Sequence, residues 1–194
     1  MIKLSAFSDE AGSSISEQIE ALHRNQISLM ELRTLDGKNV SSFTKQDYTR
    51  YYPILKSEGI SVWSIGSPLG KVDIDVDFNE YSEVIKRVCD TANGFECDKI
   101  RMFSFFNAYD KKNKVFDYLL KMIEIANSFG VKLYHENEKE IYGDTLSRVL
   151  EIYENVNGLE YIYDPANFLQ VGEKASDTIP ALFDKTGYFH IKDV

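Results

Sequence analysis

Three stretches of the chain end in side chains able to hold a cation. "LYHEN" offers His135, Glu136 and Asn137, "IYDPAN" offers Asp164 and Asn167, and "FHIKD" offers His190, Lys192 and Asp193. Each polar tail follows a short apolar, β-rich run, so it falls where a strand gives way to a loop. If the three strands are neighbours, about 5 Å apart, then Glu136, Asp164 and His190 converge on one point. Two carboxylates and an imidazole make a mixed oxygen and nitrogen site suited to a divalent ion such as Mn²⁺, Co²⁺, Mg²⁺ or Zn²⁺. Taken singly, each residue has an ordinary structural role: an aspartate before proline caps a turn, and a histidine in an apolar strand is a satisfied core residue. Their shared placement at successive strand ends carries the metal reading, because unrelated turn and core residues have no reason to share it.

The elements that must position these residues are legible as repeats of pattern. Seven β-rich runs recur: "IKLSAF", "ISLMELR", "ISVWSIG", "KIRMFSFF", "VKLYHEN", "LEYIYDPAN" and "YFHIKDV", with breaks at Gly59, Gly130, Gly158 and Gly187. Between them lie helical faces: Ile15, Ile19 and Leu22; Tyr81, Val84, Ile85 and Val88; Phe116, Leu119, Leu120 and Ile123; Leu146, Val149, Leu150 and Tyr153. These stripes are core and carry no chemistry. Regular alternation of strand and helix argues for a parallel sheet with right-handed crossovers, and no linker divides residues 1–194 into more than one domain. The first strand runs into "SDEAGSSIS" and not a GxGxxG turn, which disfavours an open dinucleotide-binding sheet and leaves a (β/α)8 TIM barrel. A barrel needs eight strands and about 250 residues, whereas the seventh strand ends this sequence. The expectation is a barrel truncated after its seventh strand, incomplete at the C-terminal end, whose missing wall comes from further chain or from a partner chain; a homo-oligomer is compatible with this.

Composition bounds the partners. Of 194 residues, 22 are basic and 31 acidic, a net charge of −9 that would repel a phosphate backbone. Nucleic acid is therefore not expected as a partner. Cys89 and Cys97 form neither a CxxC pair nor a disulfide framework, which fits a reduced, cytoplasmic setting and a packing role. No apolar run is long enough for a membrane span, and "MIKLSAFSDEAG" lacks the features of a signal peptide, so no membrane partner is expected.

Along its whole length the sequence resembles the xylose isomerase-like sugar phosphate isomerases and epimerases, a group of metal-dependent TIM barrels. The resemblance is carried by "FSDEAG", "MELRTLDGKNV", "SIGSPLGK", "IRMFSFF", "HENEKEIYGDT", "DPANF" and "HIKD", in that order at strands one to seven. It implies a metal held by a glutamate of the fifth strand, an aspartate of the sixth, a histidine of the seventh and a second glutamate of the eighth. The first three map onto Glu136, Asp164 and His190; the fourth has no counterpart in this sequence. The implied reaction is proton abstraction next to a carbonyl through an enediolate, on a small sugar or sugar phosphate, with Glu136 as the surviving member of an acid–base pair.

Among the remaining polar residues, Lys192 and Asn167 are candidates for binding substrate oxygens, since Lys192 shares a strand face with His190. Arg33 and Arg101 sit in or at the end of apolar strands, and the cost of burying a bare guanidinium predicts that each pairs with a carboxylate or reaches the mouth of the barrel, with structural ion pairing favoured. Glu10 either lines the pocket or serves as a helix-start acid. "GSPLGK" lacks the Walker spacing and reads as a turn at the top of the third strand. His23, in the first helix, is not a ligand. Two competing functions remain: a lyase on the same scaffold, in which the enediolate expels water, and a non-catalytic binding protein if no eighth strand exists. The apurinic-site endonuclease branch of the same barrel needs a histidine-rich zinc cluster and a basic surface, and only His23, His135 and His190 are present.

Overall fold

Period-two alternation decides which side chains of each strand enter the barrel and which meet the helices. In the computed structural model, which describes residues 2–193, seven parallel strands form one sheet in sequence order. They are β1 (Ser5–Ala6), β2 (Leu29–Leu32), β3 (Ser61–Leu69), β4 (Lys99–Met102), β5 (Lys132–Glu136), β6 (Glu160–Tyr163) and β7 (Thr186–Phe189). Met30, Leu32, Ile65, Ile100, Met102 and Leu133 face outward, and all are buried against the helical layer. Their neighbours Glu31, Ser64, Arg101, Glu136 and Tyr188 hydrogen-bond one another or a common partner on the inner side. The interior of this barrel is therefore polar at the carboxyl ends of its strands, where a parallel barrel places its chemistry.

Helices return the chain from each strand to the next: α1 (Ile15–Arg24), α2 (Lys45–Ser57), α3 (Phe78–Gly94), α4 (Lys112–Ser128), α5 (Leu146–Asn155), and α6 (Pro165–Gln170) with α7 (Ala175–Leu182) before β7. Side chains begin them: Ser14 and Glu17 form a reciprocal capping box on α1, and the Asp77 carboxylate accepts two backbone N–H groups of α3. The main core lies between the sheet and α1 to α4, and a smaller cluster of Val149, Tyr161, Tyr163, Phe168 and Leu182 lies under α5 to α7. Among the described residues no ladder joins β7 to β1.

The seven expected strands and their order are found, and four local expectations are corrected. Helix α2 shows no apolar stripe in the sequence, because its buried face is thin, Tyr51 and Leu55, and it contains Pro53. Two short helices, α6 and α7, also precede β7 where the sequence showed no pattern. "GSPLGK" is not a turn from its first glycine: β3 runs on through Leu69, which pairs with Met102, and only Gly70 breaks it. Leu120 is 44% exposed and does not belong to the buried face of α4, which is formed instead by Val115, Leu119, Met122 and Ile123.

Gly70 marks the close approach of the β3 and β4 ends. Its φ is +84°, and a Cβ there would run into the Phe103 carbonyl. Gly37, with φ of +75°, has open space around the same position. The Gly70→Ala variant is expected to lose about 3 kcal/mol or more of unfolding free energy, from strain plus overlap. Gly37→Ala should lose about 1 kcal/mol, from backbone conformation alone; urea unfolding of the two variants measures the difference.

Candidate metal centre

Glu136 is the last residue of β5, and alternation turns its carboxylate inward while His135 turns outward. The Glu136 side chain is 4% exposed. Arg101 of β4 donates from Nη1 to Glu136 Oε2 at 3.2 Å, and His190 Nδ1 lies 2.9 Å from Oε1. Burial works against ionisation of Glu136, yet Arg101 and His190 outweigh it and hold the carboxyl well below the usual carboxylate range. The guanidinium is held in turn by the Gly66 carbonyl, 3.1 Å from Nη2, and by the faces of Phe7 and Phe103.

Asp164 follows β6 and precedes Pro165, so it caps α6: its Oδ1 accepts the Asn167 N–H at 2.9 Å. The capping role expected of an Asp-Pro pair is present, and it uses only one of the two oxygens. The other, Oδ2, is buried and receives no hydrogen bond; Lys192 Nζ stands 2.9 Å away as a charge contact whose geometry makes no directed bond. Burial raises the Asp164 carboxyl above its ordinary range, with Lys192 opposing and the Glu136 charge adding to the rise. Asn137 fixes the backbone here: its Nδ2 donates to the Asp164 carbonyl at 2.9 Å and its Oδ1 accepts the Asp164 N–H at 3.0 Å.

His190 lies just past β7, tied to the sheet by its N–H to the Tyr163 carbonyl at 3.0 Å. Both ring nitrogens face carboxylates, Nδ1 toward Glu136 and Nε2 toward Glu31 Oε2 at 3.1 Å. Burial alone would favour the neutral ring, but these two bonds push the imidazole up to about 9. The ring is accordingly an imidazolium when no cation occupies the site.

One oxygen each of Glu136 and Asp164 and one nitrogen of His190 all lie within 4.8 Å of one another. These are three of the four donors a tetrahedral site uses, or half of an octahedral one. The orphaned Asp164 Oδ2 is the atom such an ion would satisfy. The group forms one wall of a cleft of about 700 Å³ that opens past Phe7, Arg33, Lys71 and Lys192. Asn167 donates to the Asn137 carbonyl at 2.8 Å and accepts from Lys192 at 2.8 Å, so the two residues expected near substrate are coupled to each other.

The structure separates the other sequence candidates from this group. His135 packs between Ser104 and Gly143 on the outer side of β5, and burial pushes its imidazole down to about 3, a neutral core histidine. Arg33 pairs with Asp9 at 2.8 Å and with Glu10 at 2.5 Å, so Glu10 lines the cleft mouth as an ion-pair partner and not as a helix cap. Glu31 was missed by the sequence reading; its signal is a glutamate at an inward position of the otherwise apolar run "LMEL".

In metal-free protein the raised His190 value has a definite consequence for stability. A group whose folded value exceeds its unfolded value of about 6.5 contributes stability fully present below that pH and lost as pH climbs through the folded value. The urea midpoint of chelator-treated protein should therefore fall between pH 6.5 and about 9. The fall should be shallower in His190→Gln, measured on the same protein under the same chelation.

A family model for the xylose isomerase-like TIM barrel matches residues 19–194. No curated protein matches the chain. Among solved structures, the probable 3-DHS dehydratase AsbF involved in petrobactin synthesis from Bacillus anthracis superposes with a TM-score of 0.81 at 20% identity, covering 100% of this chain and 74% of that one. A xylose isomerase-like TIM barrel protein from Mycobacterium smegmatis in complex with magnesium gives a TM-score of 0.77 at 11% identity, covering 98% and 74%. D-psicose 3-epimerase in the presence of D-fructose gives 0.76 at 13% identity, covering 97% and 72%. At such identities the superpositions establish the shared barrel, and the match over residues 19–194 establishes membership: the chain belongs to the xylose isomerase-like TIM barrel family.

Proposed function

We propose that this protein is a metal-dependent isomerase or epimerase of a sugar or sugar phosphate that removes a proton next to a carbonyl. The observation that carries the reading is the convergence of Glu136, Asp164 and His190, with ligand atoms within 4.8 Å of one another and Asp164 Oδ2 met by the Lys192 charge but by no directed hydrogen bond. Two hard oxygens and an imidazole nitrogen suit Mn²⁺, Co²⁺, Mg²⁺ or Zn²⁺, and a relative of the same fold is known in complex with magnesium. The ion, when bound, polarises the carbonyl and neighbouring hydroxyl of the substrate and lowers the energy of the enediolate charge.

The chain's own residues supply the rest. Glu136, kept ionised by Arg101, accepts the proton from the carbon beside the carbonyl. Arg101, held rigid between Phe7 and Phe103, keeps that carboxylate from rotating away and presents a fixed positive charge to the developing oxyanion. Lys192 is half exposed and reaches the cleft, where it can bind a substrate hydroxyl or phosphate oxygen, and Asn167 orients Lys192. A 700 Å³ cleft has room for a monosaccharide with some retained water. Once the enediolate exists, reprotonation yields an isomer or epimer, whereas loss of a neighbouring hydroxyl yields a dehydrated product. The likeness in fold to the probable 3-DHS dehydratase makes the second course the alternative.

The experiment is incubation with a panel of ketoses, aldoses and their phosphates in D₂O with added Mn²⁺, followed by NMR. Deuterium should enter the carbon beside the carbonyl of a substrate and of its isomer, and Glu136→Gln should slow this by about 10²- to 10⁴-fold. Loss of water in place of interconversion supports the lyase. Absence of exchange together with absence of Mn²⁺ binding at millimolar concentration rejects both.

A further inference from the structure

We infer that Glu31 of β2 is a positioning residue that presents His190 Nδ1 to the oxygens of Glu136 and Asp164; the inference rests on the metal reading above. Glu31 is almost fully buried, its side chain 2% exposed, and among the described residues the only cationic group within 4 Å of it is the His190 ring. A buried carboxylate without its own arginine or lysine is costly unless its remaining lone pairs are met. Here they are met on both oxygens: His190 Nε2 lies 3.1 Å from Oε2, and the Tyr188 hydroxyl donates to Oε1 at 3.1 Å. Ser64 Oγ is 3.0 Å from the same hydroxyl, so the carboxylate is braced from β3 and β7 as well as from its own strand. The imidazole is further boxed by the Phe7 and Tyr188 rings, with centroids at 5.2 Å and 5.5 Å.

The geometry points to a single tautomer under load. When Nε2–H is donated to Glu31, the lone pair of the neutral ring resides on Nδ1, the nitrogen that faces Glu136. A carboxylate behind a ligating histidine both orients the ring and raises its basicity, and removing such a partner typically costs about 10- to 100-fold in affinity. Glu31 touches neither the proposed ion nor the substrate in this role; it acts through His190.

The test is titration calorimetry of chelator-treated protein with Zn²⁺, together with ¹⁵N NMR of the histidine rings in the zinc-loaded state and circular dichroism to verify folding. Wild type is expected to bind one Zn²⁺ with the His190 proton on Nε2. Glu31→Ala should weaken binding about 10- to 100-fold and lose the fixed tautomer. Glu31→Gln, whose amide oxygen still accepts from Nε2, should recover most of the affinity and all of the tautomer. Tyr188→Phe keeps the ring and removes the hydroxyl that braces Glu31 and meets Ser64, and should weaken binding less than Glu31→Ala; it serves if Glu31→Ala does not fold. Unchanged affinity and tautomer in the folded variants, with wild type binding normally, overturn the positioning role alone. Failure of wild type to bind Zn²⁺ overturns the metal reading, and the positioning role falls with it.

Discussion

Glu136 is a carboxylate buried at the carboxyl end of a barrel strand, and the cost of keeping its charge there governs what surrounds it. An unpaired buried carboxylate would protonate or unfold the site. Arg101 and His190 supply the compensating charge, and each needs fixing in its turn: Arg101 by two aromatic faces and the Gly66 carbonyl, His190 by Glu31. Glu31 brings a further negative charge inward, which the imidazolium shares with Glu136. The result is an alternation of sign along the interior, arginine, glutamate, histidine, glutamate, drawn from β4, β5, the residue just past β7, and β2.

Asp164 shows how one side chain serves fold and site together. Its Oδ1 begins α6 and its Oδ2 is left facing the cluster, so the helix fixes the angle at which the free oxygen is offered. Asn137 holds the same backbone from the preceding strand end, and Asn167 links back to both Asn137 and Lys192. This mesh of neutral amides pins the backbone around Oδ2 by bonds that do not depend on it, while the Lys192 ammonium 2.9 Å away opposes its charge. Opposite displacement of the two carboxyl groups has separate causes: at Glu136 the buried guanidinium and the imidazole outweigh burial and move it downward, whereas at Asp164 burial and the neighbouring Glu136 charge outweigh the Lys192 ammonium and move it upward.

Much of this was readable from residue types. The seven strands announce themselves because β-rich runs separated by glycines and helical stripes leave few alternatives, and Arg33 and Arg101 found the carboxylate partners that the cost of burial demands. The elements that escaped notice are those with weak local pattern. Helix α2 buries little beyond Tyr51 and Leu55, and α7 is eight residues long, so neither shows a sustained apolar stripe. The extension of β3 through Pro68 to Leu69 depends on pairing with β4, a contact that the turn-like stretch "GSPLGK" does not reveal by itself.

The sequence by itself determined that polar groups end three successive strands, and hence that Glu136, Asp164 and His190 share one end of a parallel sheet. Period-two alternation is a local property, and a strand followed by a loop is a local pattern. Only the tertiary structure decided which partner each group meets. Whether His135 or Glu136 turns inward depends on the register against β4 and β6, and whether Glu31 reaches His190 depends on a barrel curving so that residues 159 positions apart lie 3.1 Å apart. Charge compensation across that span is a property of the curvature and twist of the sheet, because it is set by distances between strands that no local stretch of sequence encodes.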